Sequence, residues 1–488
     1  MKNVRKLSTI LGLSLLFIGC SLNDQSNYLS FESGILEDQE LPFQENYKDH
    51  GENPFINTSD APISTFSVDA DGASYANMRR FLNLGQTPPE AAVRIEEFIN
   101  YFTFDYAEPN NNHHVALNSE VAVCPWNTEH YLMRIGMKGK TIPENELPNS
   151  NYVFLIDVSG SMSSPDKLGV LKSGFKTLTD NLRNEDKIAI VTYAGNAGLL
   201  LPSTPGSEKD KIKEAIDKLG AGGSTAGAEG IITAYNIAKD NFIEQGNNRV
   251  ILGSDGDFNV GPSSTEDLVK LIEEQRETGI YLTVLGVGGG NLNDNAMEQI
   301  ANKGNGNYEY IDNAKQIEKV FTHELGKLYT VAKDSKIQIT FNSNKVTSYR
   351  LIGYENRALE NEDFEDDTKD AGEIGSSQTI TAIYELIVTD TSNDTNFATF
   401  DFRYKKPNAT ESIPLIHEIK GSPNAINLAS ENMRFGAAVT GFGLLLKNSE
   451  YKGEVSKQMV IDLANTATTF DPNGFRKEFT ELVTGWNP

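Results

Sequence analysis

The chain has 488 residues, too many for one ordinary core, so several domains are expected. Hydrophobic residues make up 38% of it, and 68 acidic against 43 basic residues leave a formal charge of −25. Such a surface repels phosphate backbones and anionic headgroups, which argues against nucleic acid as a partner and leaves solubility as the plain use of the charge.

Lys2, Arg5 and Lys6 form a basic start, and an apolar run from Leu7 to Ile18 follows. The run falls short of the ~20 apolar residues of a membrane-spanning helix but suits the hydrophobic part of a signal peptide. It closes on Phe17-Ile18-Gly19-Cys20, which resembles a lipobox. Residues 1–19 are therefore expected to be a lipoprotein signal peptide, with Cys20 acylated. This places the chain in the cell envelope, lipid-anchored to a bacterial membrane and facing an extracytoplasmic compartment. The sequence has two cysteines, Cys20 and Cys124. If Cys20 carries lipid, no disulfide forms within the chain, and Cys124 is expected to be a small buried apolar residue. Residues 20–60 are acidic, rich in Asn, Gln and Ser, and without sustained period; they read as a disordered tether, with order beginning near Ile63.

Further elements follow in chain order. Ser64 to Val68 reads as a strand, Ser74 to Leu82 and Pro89 to Phe102 as helices, and Val115 to Val123 and Tyr131 to Met137 as strands. Together these make a companion domain over residues 61–145. Residues 146–330 alternate strand and helix. The strands are Tyr152 to Ile156, Ile188 to Tyr193, Leu199 to Leu201, Val250 to Leu252, Ile280 to Val287 and Tyr308 to Ile311. Between them, helices begin at Ser164-Pro165, Glu208, Thr225 and Thr265. The alternation and the continuous apolar strands indicate a doubly wound parallel sheet. Residues 331–425 are β-rich, with strands Lys336 to Phe341, Val346 to Tyr354, Thr379 to Val388 and Ala398 to Tyr404. Residues 426–488 are helical, over Phe435 to Leu446, Ser456 to Ala467 and Gly474 to Val483. Two strands alone are marginal, so the pair before the central domain is expected to join those after Val331 in one antiparallel sandwich. The fold class is thus α/β, a central doubly wound parallel sheet flanked by an antiparallel β-sandwich and C-terminal helices.

Three segments carry the chemistry. The first strand of the α/β region ends in Asp157-Val158-Ser159-Gly160-Ser161, a later loop reads Gly222-Gly223-Ser224-Thr225, and the strand at Val250 ends in Gly253-Ser254-Asp255-Gly256. In a doubly wound sheet all three fall at the carboxyl ends of central strands, where ligands bind. Asp157 and Asp255 offer carboxylates; Ser159, Ser161 and Thr225 offer neutral hydroxyls. Mg²⁺ takes oxygen ligands and keeps waters, so two carboxylates with hydroxyls hold it without neutralising it, and Mn²⁺ or Ca²⁺ also suit such a set.

Asp-x-Ser-x-Ser with a distant Thr and Asp on an α/β sheet resembles the metal-ion-dependent adhesion site of von Willebrand factor A domains. The resemblance implies a divalent ion held by Asp157, Ser159, Ser161, Thr225 and Asp255, with an Asp or Glu of a protein partner completing its coordination. Segments outside the centre, among them Pro62 to Asp69, Ser74 to Leu82, Arg94 to Phe102, Tyr349 to Asn356 and Arg434 to Leu446, are similar to YfbK-like bacterial lipoproteins.

Other signals are weaker. Gly286-Val287-Gly288-Gly289-Gly290-Asn291 lacks the third glycine of a dinucleotide loop and reads as a loose loop. Asp69-Ala70-Asp71-Gly72 begins like a calcium loop, but Arg80 stands where the twelfth-position Glu would be. Ser159 and Ser161 have no evident His partner, and none of the six histidines forms a paired zinc motif. A binding protein is expected rather than an enzyme. The rival reading is a structural or assembly subunit of an envelope complex whose ion only stabilises the fold.

Overall fold

The computed structural model describes residues 45–487 apart from 111, 195, 223–226, 257–264 and 390–395. The expected signal peptide, Cys20, most of the tether and Thr225 lie outside the described residues. In chain order, strands β1 (Ile56–Asn57) and β2 (Ile63–Ser67) lead into helices α1 (Ala73–Asn83) and α2 (Ile95–Asn100) and long strands β3 (Val115–Val123) and β4 (His130–Gly139). The central domain runs β5 (Ser150–Asp157), α3 (Val170–Asp180), β6 (Lys187–Ala194), β7 (Asn196–Pro205), α4 (Lys209–Asp217) and α5 (Gly227–Asp240). It continues with β8 (Asn247–Ser254), α6 (Thr265–Arg276), β9 (Tyr281–Val287), α7 (Asp294–Lys303), β10 (Tyr308–Ile311) and α8 (Ala314–Glu318). Strands β11 (Thr330–Phe341), β12 (Val346–Ile352), β13 (Gly372–Gly375), β14 (Thr379–Val388), β15 (Asn396–Lys405) and β16 (Ile413–Lys420) precede helices α9 (Glu431–Leu446), α10 (Lys457–Asn465) and α11 (Phe475–Gly485).

The central sheet has the order β10-β9-β8-β5-β6-β7, parallel except for β7, which returns antiparallel beside β6. Every residue of β5 and β8 is buried, as their unbroken apolar runs require of strands covered on both faces. The chain progresses outward from β5 in one direction through β6 and, after β8, in the other through β9 and β10. The crevice between β5 and β8 is therefore the topological switch point, where ligands of such sheets bind.

The two strands just before the central domain join strands after it, β4 by direct pairing and β3 at its outer edge. One sheet has the order β1-β12-β14-β4-β3; β4 lies against β14 from His130–Ile387 to Lys138–Thr379. The second has the order β13-β11-β15-β16, with β2 alongside β11. Val121, Met133 and Ile135 of the first sheet share one apolar cluster with Phe66, Ile337, Ile339, Phe400 and Phe402 of the second. Segments 61–145 and 331–425 thus interleave in one sandwich, and the α/β domain emerges from between β4 and β11. Helix α9 is buried nearly all round, and its small residues allow close approach: a Cβ on Gly443 would lie 2.9 Å from Ile95 Cγ1. Among the described residues no helix is long and apolar enough to cross a membrane. Cys124 is free and fully buried.

Two expectations are corrected. Order begins well before Ile63: Thr58 Oγ1 donates to Val346 O at 2.5 Å, and Asn46 N donates to Leu292 O at 2.8 Å. Residues 45–60 therefore form a strap whose polar side chains are used in hydrogen bonds, which is why their composition read as disorder. The helix expected from Pro89 to Phe102 breaks at Val93–Arg94, where the backbone is extended. Ser74 Oγ donates to Ala92 O at 2.6 Å and accepts from Arg94 N at 3.0 Å, replacing the helical bonds. Strands β13 and β16 also escaped pattern reading; β16 is an edge strand with Pro414 and alternating exposure, so it has no continuous apolar run.

Candidate metal centre

Asp157 is the last residue of β5, and Asp255 follows the last residue of β8. Because Ile156 and Gly253 are register partners, Asp157 is level with Ser254, and Asp255 follows one residue further along the adjacent strand. Both carboxylates are fully buried. Past β5 the chain turns sharply. Ser159 N donates to Asp157 Oδ1 at 2.9 Å, and the Ser159 and Ser161 hydroxyl oxygens are 2.9 Å apart. Ser161 in turn stands near Asp255 and is among the groups that hold that carboxyl low. Asp157, Ser159, Ser161 and Asp255 therefore form one cluster. Gly222 N donates to Val158 O at 2.7 Å, which holds Gly222 against this turn; Thr225 is outside the described residues.

Residues that pattern reading passed over complete the surroundings. Ser254 Oγ donates to Asp157 Oδ2 at 3.0 Å, and Tyr193 OH does so at 3.3 Å from β6. Lys167 Nζ donates to Asp255 Oδ2 at 3.0 Å and to Asn291 Oδ1 at 2.6 Å, and Asn291 Nδ2 donates to Asp255 Oδ2 at 3.1 Å. The glycine run that ends in Asn291 is thus not a loose loop. Tyr310 OH donates to Gly288 O at 2.7 Å, and Gly290 N donates to Glu45 Oε1 of the strap at 2.6 Å. The only signal for Lys167 was its place in the helix that begins at Ser164-Pro165; its target lies 88 residues away.

The two carboxylates differ electrically. Burial pushes Asp157 up to about 6, with Asp255 adding to the rise and Ser159 and Ser254 opposing it. At Asp255 burial acts in the same sense, but hydrogen bonds from Asn291 and Lys167, with the lysine's charge, hold it below the ordinary carboxylate value. The donor set is hard oxygen throughout, two anionic and two neutral, which suits Mg²⁺. Among the described residues no three His, Cys, Asp or Glu side chains converge as a metal group. An ion here depends on the hydroxyls, and the Asp-x-Ser-x-Ser turn brings those together with the carboxylates. Two clefts of about 320 and about 800 Å³ between the sandwich and the α/β domain include none of these residues.

Comparison with known proteins gives the wider setting. The von Willebrand factor type A domain family matches residues 151–323, a family described as von Willebrand factor matches residues 42–134, and the C-terminal family of the protein YfbK matches residues 326–487. The chain is 42% identical over 463 residues to the protein described as "Uncharacterized protein YfbK" of Escherichia coli (strain K12), covering 90% of this chain and 80% of that one. It is 28% identical to the magnesium-chelatase 67 kDa subunit of Chlorobaculum tepidum over 34% of this chain and 29% of that one. Among solved structures, a von Willebrand factor type A protein from Catenulispora acidiphila aligns with 76% of this chain and 89% of its own, at 14% identity and a TM-score of 0.43. The chain belongs to the YfbK family, and its centre is a von Willebrand factor type A domain.

Proposed function

We propose that this chain is a binding protein whose adhesion-type centre takes a divalent cation, Mg²⁺ first and Mn²⁺ or Ca²⁺ as substitutes, on Asp157, Ser159, Ser161, Thr225 and Asp255. An Asp or Glu of a protein partner then completes the coordination. Von Willebrand factor type A domains commonly mediate metal-dependent protein interactions, and the observation that carries the reading here is the convergence at the switch point of the hydrogen-bonded Asp157, Ser159 and Ser161 with Asp255. Hydroxyls satisfy a cation's geometry without cancelling its charge, so a bound ion stays electrophilic toward an outside carboxylate.

The N-terminal sequence supports an envelope location, with residues 1–19 as signal peptide and Cys20 as the lipid-bearing residue. The chain's strong negative charge repels an acidic partner at long range, but salt screens that repulsion beyond ~8 Å while the contact at the ion is short-ranged. Binding should therefore survive or improve with added salt.

The test is recovery of partners from envelope extract in Mg²⁺ and in EDTA, followed by calorimetry on the recovered pair. Asp157→Ala and Thr225→Ala should abolish binding while thermal melting stays close to the parent. Unchanged affinity in EDTA with a lowered melting temperature would leave the ion a structural part of an envelope assembly.

A further inference from the structure

Lys167 lies in a π-helical turn, Pro165–Gly169, that opens the helix continuing as α3. A lysine in the first turn of a helix faces the positive end of the helix dipole, and this one is also buried, at 7% exposure. Both placements are unfavourable unless an anion compensates them. Its ammonium reaches Asp255 Oδ2 at 3.0 Å, and Asn291 bridges the pair by accepting from the lysine and donating to the same carboxylate oxygen. The loop opposite is shaped around the lysine stem. Gly288 has φ +69°, and a Cβ there would stand 2.4 Å from Lys167 Cγ. The wide turn on one side, and on the other the loop that holds both the positive-φ glycine and the asparagine bridge, converge on one ammonium.

We propose that Lys167 is a built-in counter-cation for Asp255: it holds this carboxylate while the centre is ion-free, and it withdraws when a divalent cation takes the carboxylate, so that it weakens ion affinity and keeps the centre exchangeable. This rests on the metal reading above. Two buried carboxylates without any cation would repel each other, and the ammonium relieves that. The same ammonium repels an incoming dication, because a fixed positive charge a few ångströms from a second one at an effective dielectric near 20 costs at least about a factor of ten in affinity. Lysine suits such a role better than arginine, since its flexible stem can carry a compact charge away from its partner.

The experiment measures Mg²⁺ affinity of the full chain and of Lys167→Met by calorimetry, with melting in EDTA and in Mg²⁺. The variant should bind Mg²⁺ about tenfold or more tightly, melt lower in EDTA and gain more from Mg²⁺ than the parent. Folding of the variant only with Mg²⁺ present supports the proposal equally, because the ion then replaces the missing charge. On the parent protein, lysine-selective acylation read by mass spectrometry should find Lys167 protected in EDTA and labelled at saturating Mg²⁺; this second readout holds even if the variant does not fold. Equal or weaker Mg²⁺ binding by Lys167→Met, or identical labelling with and without Mg²⁺, overturns the proposal while leaving the metal reading intact. Absence of Mg²⁺ binding by parent and variant at millimolar concentration overturns the metal reading itself, and this proposal with it.

Discussion

The centre at Asp157 and Asp255 and the seam around Arg94 both bury carboxylates, yet they neutralise them in different ways. In the seam, Arg94 lies between α1–α2 and the α/β domain. It donates to Glu97 and to Asp294 Oδ2, the latter at 2.5 Å, with Glu298 at 3.9 Å. Arg357 donates to Asp69 Oδ2 at 2.9 Å, and Arg79 holds Asp312 through two bonds at 2.8 and 2.6 Å. A guanidinium is always charged and its planar fork fits carboxylates, so Arg94 and Arg79 fasten the domain to its flanks, and Arg357 ties the two flanking segments together. The calcium-like start Asp69-Ala70-Asp71 belongs to this framework: Asp69 answers Arg357, and Asp71 Oδ1 accepts Tyr308 N at 2.8 Å. At the centre, hydroxyls supply hydrogen bonds and one lysine supplies the counter-charge, which on the proposal above gives way to an ion. Permanent clamps make a frame, whereas a removable counter-charge makes a site.

The sharpest way to break this comparison is Arg94→Met. It leaves Glu97 and Asp294 without their guanidinium at 0–1% exposure, and stripping one partner from a buried ion pair costs about 3–5 kcal/mol. Urea unfolding should show a loss of that order, and added Mg²⁺ should not restore it. Restoration by Mg²⁺ would mean that the seam and the centre are one electrostatic system.

Gly288→Ala tests the centre alone. Its φ of +69° strains an alanine, and the new methyl meets the Lys167 stem. A loss of about 1–3 kcal/mol in urea unfolding is expected, together with a changed Mg²⁺ affinity. A fully neutral result would show that the loop yields easily and does not fix the lysine.

The seam should also reveal itself through pH. Burial pushes Glu97 up to about 8 despite the attraction of Arg94, and burial likewise raises Asp71, Glu96 and Glu298. Glu97 in the folded chain therefore keeps a proton that the unfolded chain, with an ordinary value of 4.5, has already released. Its contribution is fully present below about 4.5 and is lost as pH rises through about 8. Across that window stability should fall with rising pH, by at most about 1.4 kcal/mol per pH unit for one such group. Glu97→Gln should flatten the dependence of melting temperature on pH. An unchanged slope would place the proton elsewhere. Asp255, held low, has the opposite sense, losing its contribution only in strong acid.

The smallest effect calibrates the others. Lys211 and Glu208 form a half-exposed pair at 3.0 Å. Lys211→Ala should change unfolding free energy by less than about 1 kcal/mol, since water and salt screen such pairs. A larger loss would show that surface charge matters more in this acidic chain than burial does.

Local pattern made much of the site legible. Asp157, Ser159 and Ser161 are read from a single turn after an apolar strand, and Asp255 from the end of another, because strand ends and ligand-type residues are short-range features. The cluster at the switch point then follows from strand order. Lys167 and Asn291 were not legible, because neither has a local partner: their contacts with Asp255 exist only once β5, β8 and β9 lie side by side. The strap at 45–60 was misread for the same reason, since its hydrogen bonds go to residues hundreds of positions away.

The sequence by itself determined the alternation of strands and helices, the apolar strands that had to be buried on both faces, and the hard-oxygen set that could face a cation. These depend on periodicity and residue type, which are properties of neighbours in the chain. Tertiary structure alone decided that β14 is the strand after the inserted domain that β4 lies against, that Ser74 breaks the helix before Arg94, and that an ammonium rather than another acid stands beside Asp255. Each of these is a contact between distant segments. Its free energy comes from desolvation and charge at a place that exists only after the chain has closed on itself.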